Sequence, residues 1–283
     1  MRNRQLGIPR RDSGDKPIFR HVSVRPVSNG AYVISGNRQS PHRRTARGRT
    51  LINVPIVGLR QRHAKPVGCV LSFGSMNIRS LSPSKLNSLL LELNDHPVDV
   101  MLLCETWHDA DSVAIRRLRA EGYSVVERAR PRTRRADESL GVNHGGVAII
   151  AAAGVRLSPV NIGRQPTTFE CVAARVLSGS SSCVVIAVYR PGSAPITAAF
   201  FAELADILDS LATFVDPIVL AGDVNIRLER TSDQHNVEFS ELLTGYGLAQ
   251  HVSGTTQNAG GTLDVICTRD DLPAAAVDII DTQ

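Results

Sequence analysis

Residues 218–225 read IVLAGDVN, and the fold turns on how they are read. Ile218, Val219 and Leu220 form an apolar run entered through Asp216 and Pro217, the pattern of a buried strand, and Gly222 punctuates its end as a turn. Asp223 and Asn225 then stand at the strand's carboxyl end, where α/β folds keep their chemistry. Being two apart, they project to one side for as long as the chain stays extended. A carboxylate can accept a proton from water or hold a hard cation, and an amide can donate to a phosphoryl oxygen. The same letters also make an ordinary turn, so the stretch takes its meaning from its surroundings.

Immediately upstream, Pro195 and Thr197 open a helix whose inner stripe is Phe200, Leu204, Ile207, Leu208 and Leu211. Before it, Phe169–Leu177 and Cys183–Tyr189 read as two strands of a hairpin joined by a serine-rich turn. Downstream, a shorter helix around Val237–Leu243 precedes GGTLDVI. There Asp264 sits among Leu263, Val265 and Ile266, a position that is costly for a carboxylate unless a histidine or a metal pairs with it. Nearer the N-terminus, Cys69–Phe73 is strand-like and runs into Gly74, Ser75, Met76 and Asn77. Ser82 and Pro83 start a helix carrying Leu86, Leu89, Leu90 and Leu93, and after Pro97 the run Val98–Leu103 is the next buried strand, a βαβ beginning. That strand delivers Cys104, Glu105 and Thr106. Glu105 needs a partner, a metal or water, and water at a strand end is the ordinary solution. Asp111 is expected to cap a second helix, with Val113, Ile115 and Leu118 inside, before a strand at Tyr123–Val126.

Length and composition fit one large domain with an appendage. The 283 residues are 42% hydrophobic, ample for a core, with no apolar run near the roughly 20 residues that cross a bilayer. No signal-peptide core follows Met1, so an intracellular site is expected. The five cysteines are isolated and read as small buried hydrophobes. The net charge of +5 conceals a division: residues 1–66 hold 15 Lys and Arg against Asp12 and Asp15, and the rest of the chain carries −8. That arm is expected to be disordered. It reads equally as a nucleic-acid-binding or nuclear-targeting tail and as a linker basic by composition only. LINVPIVGL, residues 51–59, makes an unconvincing strand because of Pro55 and Gly58. An arginine-rich loop spans residues 128–139, either a grip on phosphates or a solvated insertion. Gly145 and Gly146, after His144, allow tight packing or a close approach of substrate.

Six short motifs occur in a fixed order: Asn77 after the first strand, Glu105 after the second, HGGVAI at 144–149, VYRP at 188–191, GDVN at 222–225 and TTQNAGGTLDVI at 255–266. Together they resemble the endonuclease/exonuclease/phosphatase family, and the wording of SMNIRSL, YRP and TLD is most similar to the endonuclease domain of LINE-type (non-LTR) retrotransposons. The resemblance covers residues 69–283 and implies an α/β fold, a four-layered sandwich of two packed mixed sheets flanked by helices. It implies that Glu105 ligates Mg2+ (or Mn2+) with Asn77 supporting it, and that Asp223 activates the attacking water. Asn225 and Tyr189 would contact the scissile phosphate, Asp264 would hold a catalytic histidine, and Thr256, Arg190 and His144 would lie on the substrate side. The implied reaction nicks DNA to leave a 3′-hydroxyl that primes reverse transcription, in the nucleus, with RNA a second ligand for the basic arm. A reverse transcriptase would ordinarily follow in such an element.

The family closes with a Ser-Asp-His motif beyond the TLD strand. Here Gln283 comes first, and the last histidine, His251, precedes Asp264. The expectation is therefore a domain truncated before its last motif, weakly active or inactive. Two alternatives remain open: a phosphatase of the same fold acting on a phospholipid or nucleotide, and a catalytically dead nucleic-acid-binding remnant.

Overall fold

Two sheets arise from two stretches of strand-forming sequence, each wrapped around a parallel pair with a helix between. The computed structural model describes residues 19–20, 48–56, 69–130, 144–179, 181–257, 260–270 and 277–281. The first sheet runs, in spatial order, β1 (Phe19–Arg20), β2 (Gly48–Ile56), β3 (Cys69–Asn77), β4 (Val100–Cys104), β6 (Val147–Ala151) and β5 (Ser124–Arg128), with β13 (Val277–Asp281) also pairing β2. The second runs β11 (Leu248–Gln250), β12 (Asp264–Arg269), β10 (Ile218–Asp223), β9 (Ser181–Tyr189), β8 (Glu170–Ser178) and β7 (Arg156–Val160). Both sheets are mixed: β3–β4 and β9–β10 are parallel, and β8–β9 is the expected antiparallel hairpin.

Alternation along β9 shows how the layers stack. Cys183, Val185, Ala187 and Tyr189 pack toward β4 and β6 of the other sheet, whereas Val184, Ile186 and Val188 pack against helices. A strand buried on both faces must be apolar throughout, which is why SSCVVIAVY carries no polar alternation. Helices α3 (Ala198–Ala212) and α4 (Gln234–Gly245) cover the second sheet with Phe200, Leu204, Ile207, Leu208, Leu211, Phe239 and Leu243. Helices α1 (Pro83–Asp95) and α2 (Val113–Ala120) contribute Leu86, Leu89, Leu93, Ile115 and Leu118 to the core around the first sheet. The result is a four-layered α/β sandwich. Among the described residues no helix is long and apolar enough to cross a membrane.

Several local expectations change. Ser112, not Asp111, caps α2, because its Oγ accepts from the Ile115 amide at 3.3 Å; Asp111 instead adopts φ 54°. Helix α4 starts three residues earlier than its apolar positions indicate, capped by Asp233 accepting from the His235 amide. Residues 51–56 of the stretch 51–59, discounted for Pro55 and Gly58, belong with 48–50 to strand β2, which runs along β3 upstream of the boundary expected at residue 67. Pairing with β13 extends only to Ile52, so at Pro55 β2 has a described neighbour on one side alone, the edge setting that tolerates a missing N–H. Apart from β1 and β2 the basic arm, and residues 131–143 of the arginine-rich loop, lie outside the described residues.

Candidate active site

The two parallel pairs deliver their carboxyl ends to one place. In the first sheet, Asn77 lies opposite Cys104, so Asn77 and Glu105 emerge side by side; in the second, Tyr189 lies opposite Asp223. Asn77 joins the sheets: its Nδ2 donates to Glu105 Oε1 at 2.7 Å and to Asp223 Oδ2 at 2.9 Å. Antiparallel β12 then sets Asp264 directly opposite Asp223. Asn77, Glu105, Asp223 and Asp264, with Asn225, Arg79, Thr256 and Gln257, line one open cleft.

The end of β10 is shaped differently from the extended turn expected of IVLAGDVN. Gly222 is still within the strand, and glycine is required because a Cβ there would collide with the carbonyl of Val188 on β9. Asn225 has φ 50°, so Asp223 and Asn225 do not meet as alternate residues of a strand. The chain turns instead, and the Asn225 amide donates to Asp223 Oδ1 at 3.0 Å. Arg190 holds this turn from beneath. Only 3% exposed, it donates from Nε to the Val224 carbonyl, from Nη2 to that of Asn225, and from Nη1 to those of Pro191 and Ala194. Asn225 Nδ2 in turn donates to the Arg190 carbonyl at 2.8 Å, using one of its two N–H groups. Arg190, expected at the substrate, thus serves the backbone under the cleft. Thr256 behaves similarly: buried, its hydroxyl accepts from the amides of Leu263 and Asp264 and fixes the entry to β12.

Glu105 is held by its neighbours on both sides. Its carbonyl accepts from Ser80 N and that of Thr106 from Leu81 N, while the amides of Thr106 and Trp107 donate to the carbonyls of Gly146 and Gly145. Glu105 itself has φ 50°, a conformation rare for a non-glycine residue that persists only where the surrounding structure over-determines it. Below it, Thr106 Oγ1 is hydrogen-bonded to buried His108 Nδ1, and His108 Nε2 lies 2.8 Å from Glu127 Oε2 on β5. On the other flank, Glu170 accepts from Arg130 Nε and from the Gly146 amide. The two glycines of HGGVAI therefore answer to packing, since a Cβ at Gly146 would press on Thr106 Oγ1 and one at Gly145 on the Arg130–Glu170 pair. His108, Glu127 and Glu170 are not legible in the sequence because the His108–Glu127 pair spans 19 residues and Glu170 reaches 24 and 40 residues back along the chain. His144 is exposed and stacked on Trp107, outside the residues that line the cleft.

A sequence model of the Endonuclease/Exonuclease/phosphatase family matches residues 74–282, which contain every one of these side chains. The chain belongs to this family. By sequence, no curated protein matches it. Solved structures that resemble it include the 3′-5′ exonuclease NExo from Neisseria meningitidis, 21% identical over 70% of this chain and 86% of that one, with a TM-score of 0.51. The human Nocturnin catalytic domain is 16% identical over 73% and 91%, with a TM-score of 0.53. The endonuclease domain of the telomere-specific non-LTR retrotransposon TRAS1 is 11% identical over 75% and 98%, with a TM-score of 0.49. These similarities are of fold.

The electrostatics of this family member are those of crowded acids. Burial raises the Asp223 carboxyl above its ordinary range, and the charges of Asp264 and Glu105 push it further, against the hydrogen bond from Asn77. Tyr189 is raised by burial first and then by the charges of Glu105 and Asp223, so its phenol stays protonated as a donor. Such a cluster suits a hard cation. Asn77 Oδ1 is buried with no hydrogen-bond partner, next to the carboxylate that its own Nδ2 contacts. Among the described residues no three His, Cys, Asp or Glu side chains converge on a metal position. A carboxylate and a carbonyl oxygen, completed by water and substrate phosphate, match the way Mg2+ is commonly held.

Proposed function

We propose that this chain hydrolyses phosphodiester bonds of DNA with Mg2+ as cofactor, leaving a 3′-hydroxyl, and that the nick primes reverse transcription of a retroelement in the nucleus. The observation that carries the reading is Asn77 spanning from Glu105 to Asp223. It sets a carboxylate from each sheet at one open cleft, with Arg79, Asn225 and Gln257 along its walls.

In this reading Asp223 removes the proton from the attacking water. A carboxylate raised toward working pH is better matched to that task than an ordinary one. The second N–H of Asn225 and the protonated Tyr189 donate to the phosphoryl oxygens, where charge builds as the bond breaks. Asp264, beside Asp223, keeps the pair electronegative and would orient a histidine of the family's closing motif. Glu105 and Asn77 Oδ1 would hold Mg2+, which when bound neutralises charge developing on the phosphate. Arg190 and Thr256 act at one remove, by fixing the turn that carries Asn225 and the entry to Asp264. The motif wording, SMNIRSL and VYRP above all, favours DNA of a retroelement over a phospholipid or free nucleotide.

The test is nicking of supercoiled plasmid in Mg2+ by this chain and by a form extended with the family's Ser-Asp-His strand. Nicked circles carrying a 3′-hydroxyl are expected, with Asp223→Ala reducing the rate by about 10²- to 10⁴-fold. If neither folded form nicks DNA, the proposal is wrong.

A further inference from the structure

Trp107, the single tryptophan of the chain, lies two residues beyond Glu105, so their α-carbons are no more than about 7 Å apart. Its ring stacks on the His144 imidazole with centroids 4.4 Å apart and planes within 10°, and Lys85 Nζ stands over the same ring at 5.9 Å. His144, stacked on that ring, is exposed.

Two features indicate that the ring is held for its face. Its Nε1 is buried without a hydrogen-bond partner, a cost that a tryptophan placed only for packing would ordinarily avoid. The backbone around it is also strained: Arg79, Ser80, Glu105, Trp107 and Asp111, five of the six described non-glycine residues with positive φ, fall in the two loops beside the stacked pair. The Trp107 amide donates to the Gly145 carbonyl at 2.7 Å, which makes the stacked pair a rigid extension of the loop that presents Glu105.

We propose that the Trp107–His144 pair is a stacking platform for an unpaired nucleobase next to the bond being cut. The proposal rests on the phosphodiester reading above and narrows its substrate to nucleic acid with a single-stranded or frayed segment at the cleft. Every base has a π-face, so such a platform tolerates sequence, whereas bases inside a duplex are already stacked on one another.

Binding without turnover tests this. In EDTA and at 150 mM salt (about physiological, where screening tempers the basic arm), the chain is titrated with labelled oligothymidylate and with an abasic deoxyribose-phosphate chain of equal length, following anisotropy and the emission of Trp107. Because both ligands carry the same phosphates, the counterion contribution cancels. The oligothymidylate is expected to bind about tenfold or more tightly than the abasic chain and to alter tryptophan emission. His144→Phe should keep that preference, and Trp107→Leu combined with His144→Ala should remove it. Equal affinity of the wild-type chain for the two ligands overturns the proposal, as does a preference that survives in the folded double variant. Since no cleavage is needed, a chain that nicks plasmid yet ignores the base sinks only the platform. One that prefers bases but never nicks supports the platform and sinks the hydrolase.

Discussion

Asp223 concentrates the tension between stability and chemistry in this molecule. Its native pKa stands above its unfolded one, because burial, Asp264 and Glu105 all oppose its charge. Ionising it therefore destabilises the fold: no penalty exists below the unfolded carboxylate range near pH 4, and the penalty grows as pH rises toward the native value. Asp223→Asn, melted in EDTA, should gain on the wild type as pH is raised from about 4 to neutrality, each kcal/mol appearing as about 2–4 °C in Tm. A gap that shrinks with pH would mean that Asp223 is stabilised as an anion. Asn77 is the complementary case, since one amide serves both carboxylates and no other residue type offers two N–H donors and a carbonyl at that reach. Residue identities here were legible from the sequence: Asp223, Asn225, Glu105, Asn77 and Asp264 do share a cleft. The work done by Arg190 and Thr256 was not, because a guanidinium bound to carbonyls and one facing solvent are spelled the same way.

At the scale of elements, helix α3 is fastened to the loop before β8 by one side chain. Glu203 accepts hydrogen bonds from the amides and hydroxyls of Thr167 and Thr168 at 2.6–3.0 Å. Its partial burial would raise the carboxyl, but the bonds from Thr168 and Thr167 outweigh this and bring it down to about 2. The stabilisation is thus complete above the ordinary carboxylate range and lost as pH falls through that value. Glu203→Ala is expected to cost about 1.5–3 kcal/mol in urea unfolding at neutral pH, the worth of one net hydrogen bond to a charged group. The two variants' stabilities should converge in strong acid. Strand β10 has its own weak point at Gly222. Gly222→Ala should destabilise by about 3 kcal/mol or more, since the obstacle is the Val188 backbone and not a side chain able to turn aside. Circular dichroism during thermal melting would show whether the protein tolerates it. Periodicity located α1, α3 and the β8–β9 hairpin because apolar stripes report which face is buried. It misplaced the starts of α2 and α4, where a cap hydrogen bond sets the first turn.

At the scale of the whole molecule, β2 links the basic N-terminal region to the sandwich. It runs antiparallel to β3 from Thr50 to Ile56, covering the side of β3 away from β4. Removing residues 1–46 should leave a soluble, cooperatively melting protein. Removing residues 1–66 strips β3 of a neighbour and leaves an unpaired edge beside the cleft, so loss of solubility and a lower Tm are expected. Size-exclusion chromatography and melting of the two truncations decide it; equal behaviour would show that β2 adds nothing to the sheet. By itself the sequence determined the alternation of strands and helices, the family, and the set of polar residues at strand ends, because hydrophobic period and residue chemistry are local properties. Only the tertiary structure decided that Asn77 bridges to Asp223 across 146 residues of chain, that Arg190 faces inward, and that His144 lies against Trp107. Those partners are chosen by how two sheets pack and where their strands end, and no local pattern in the chain records that.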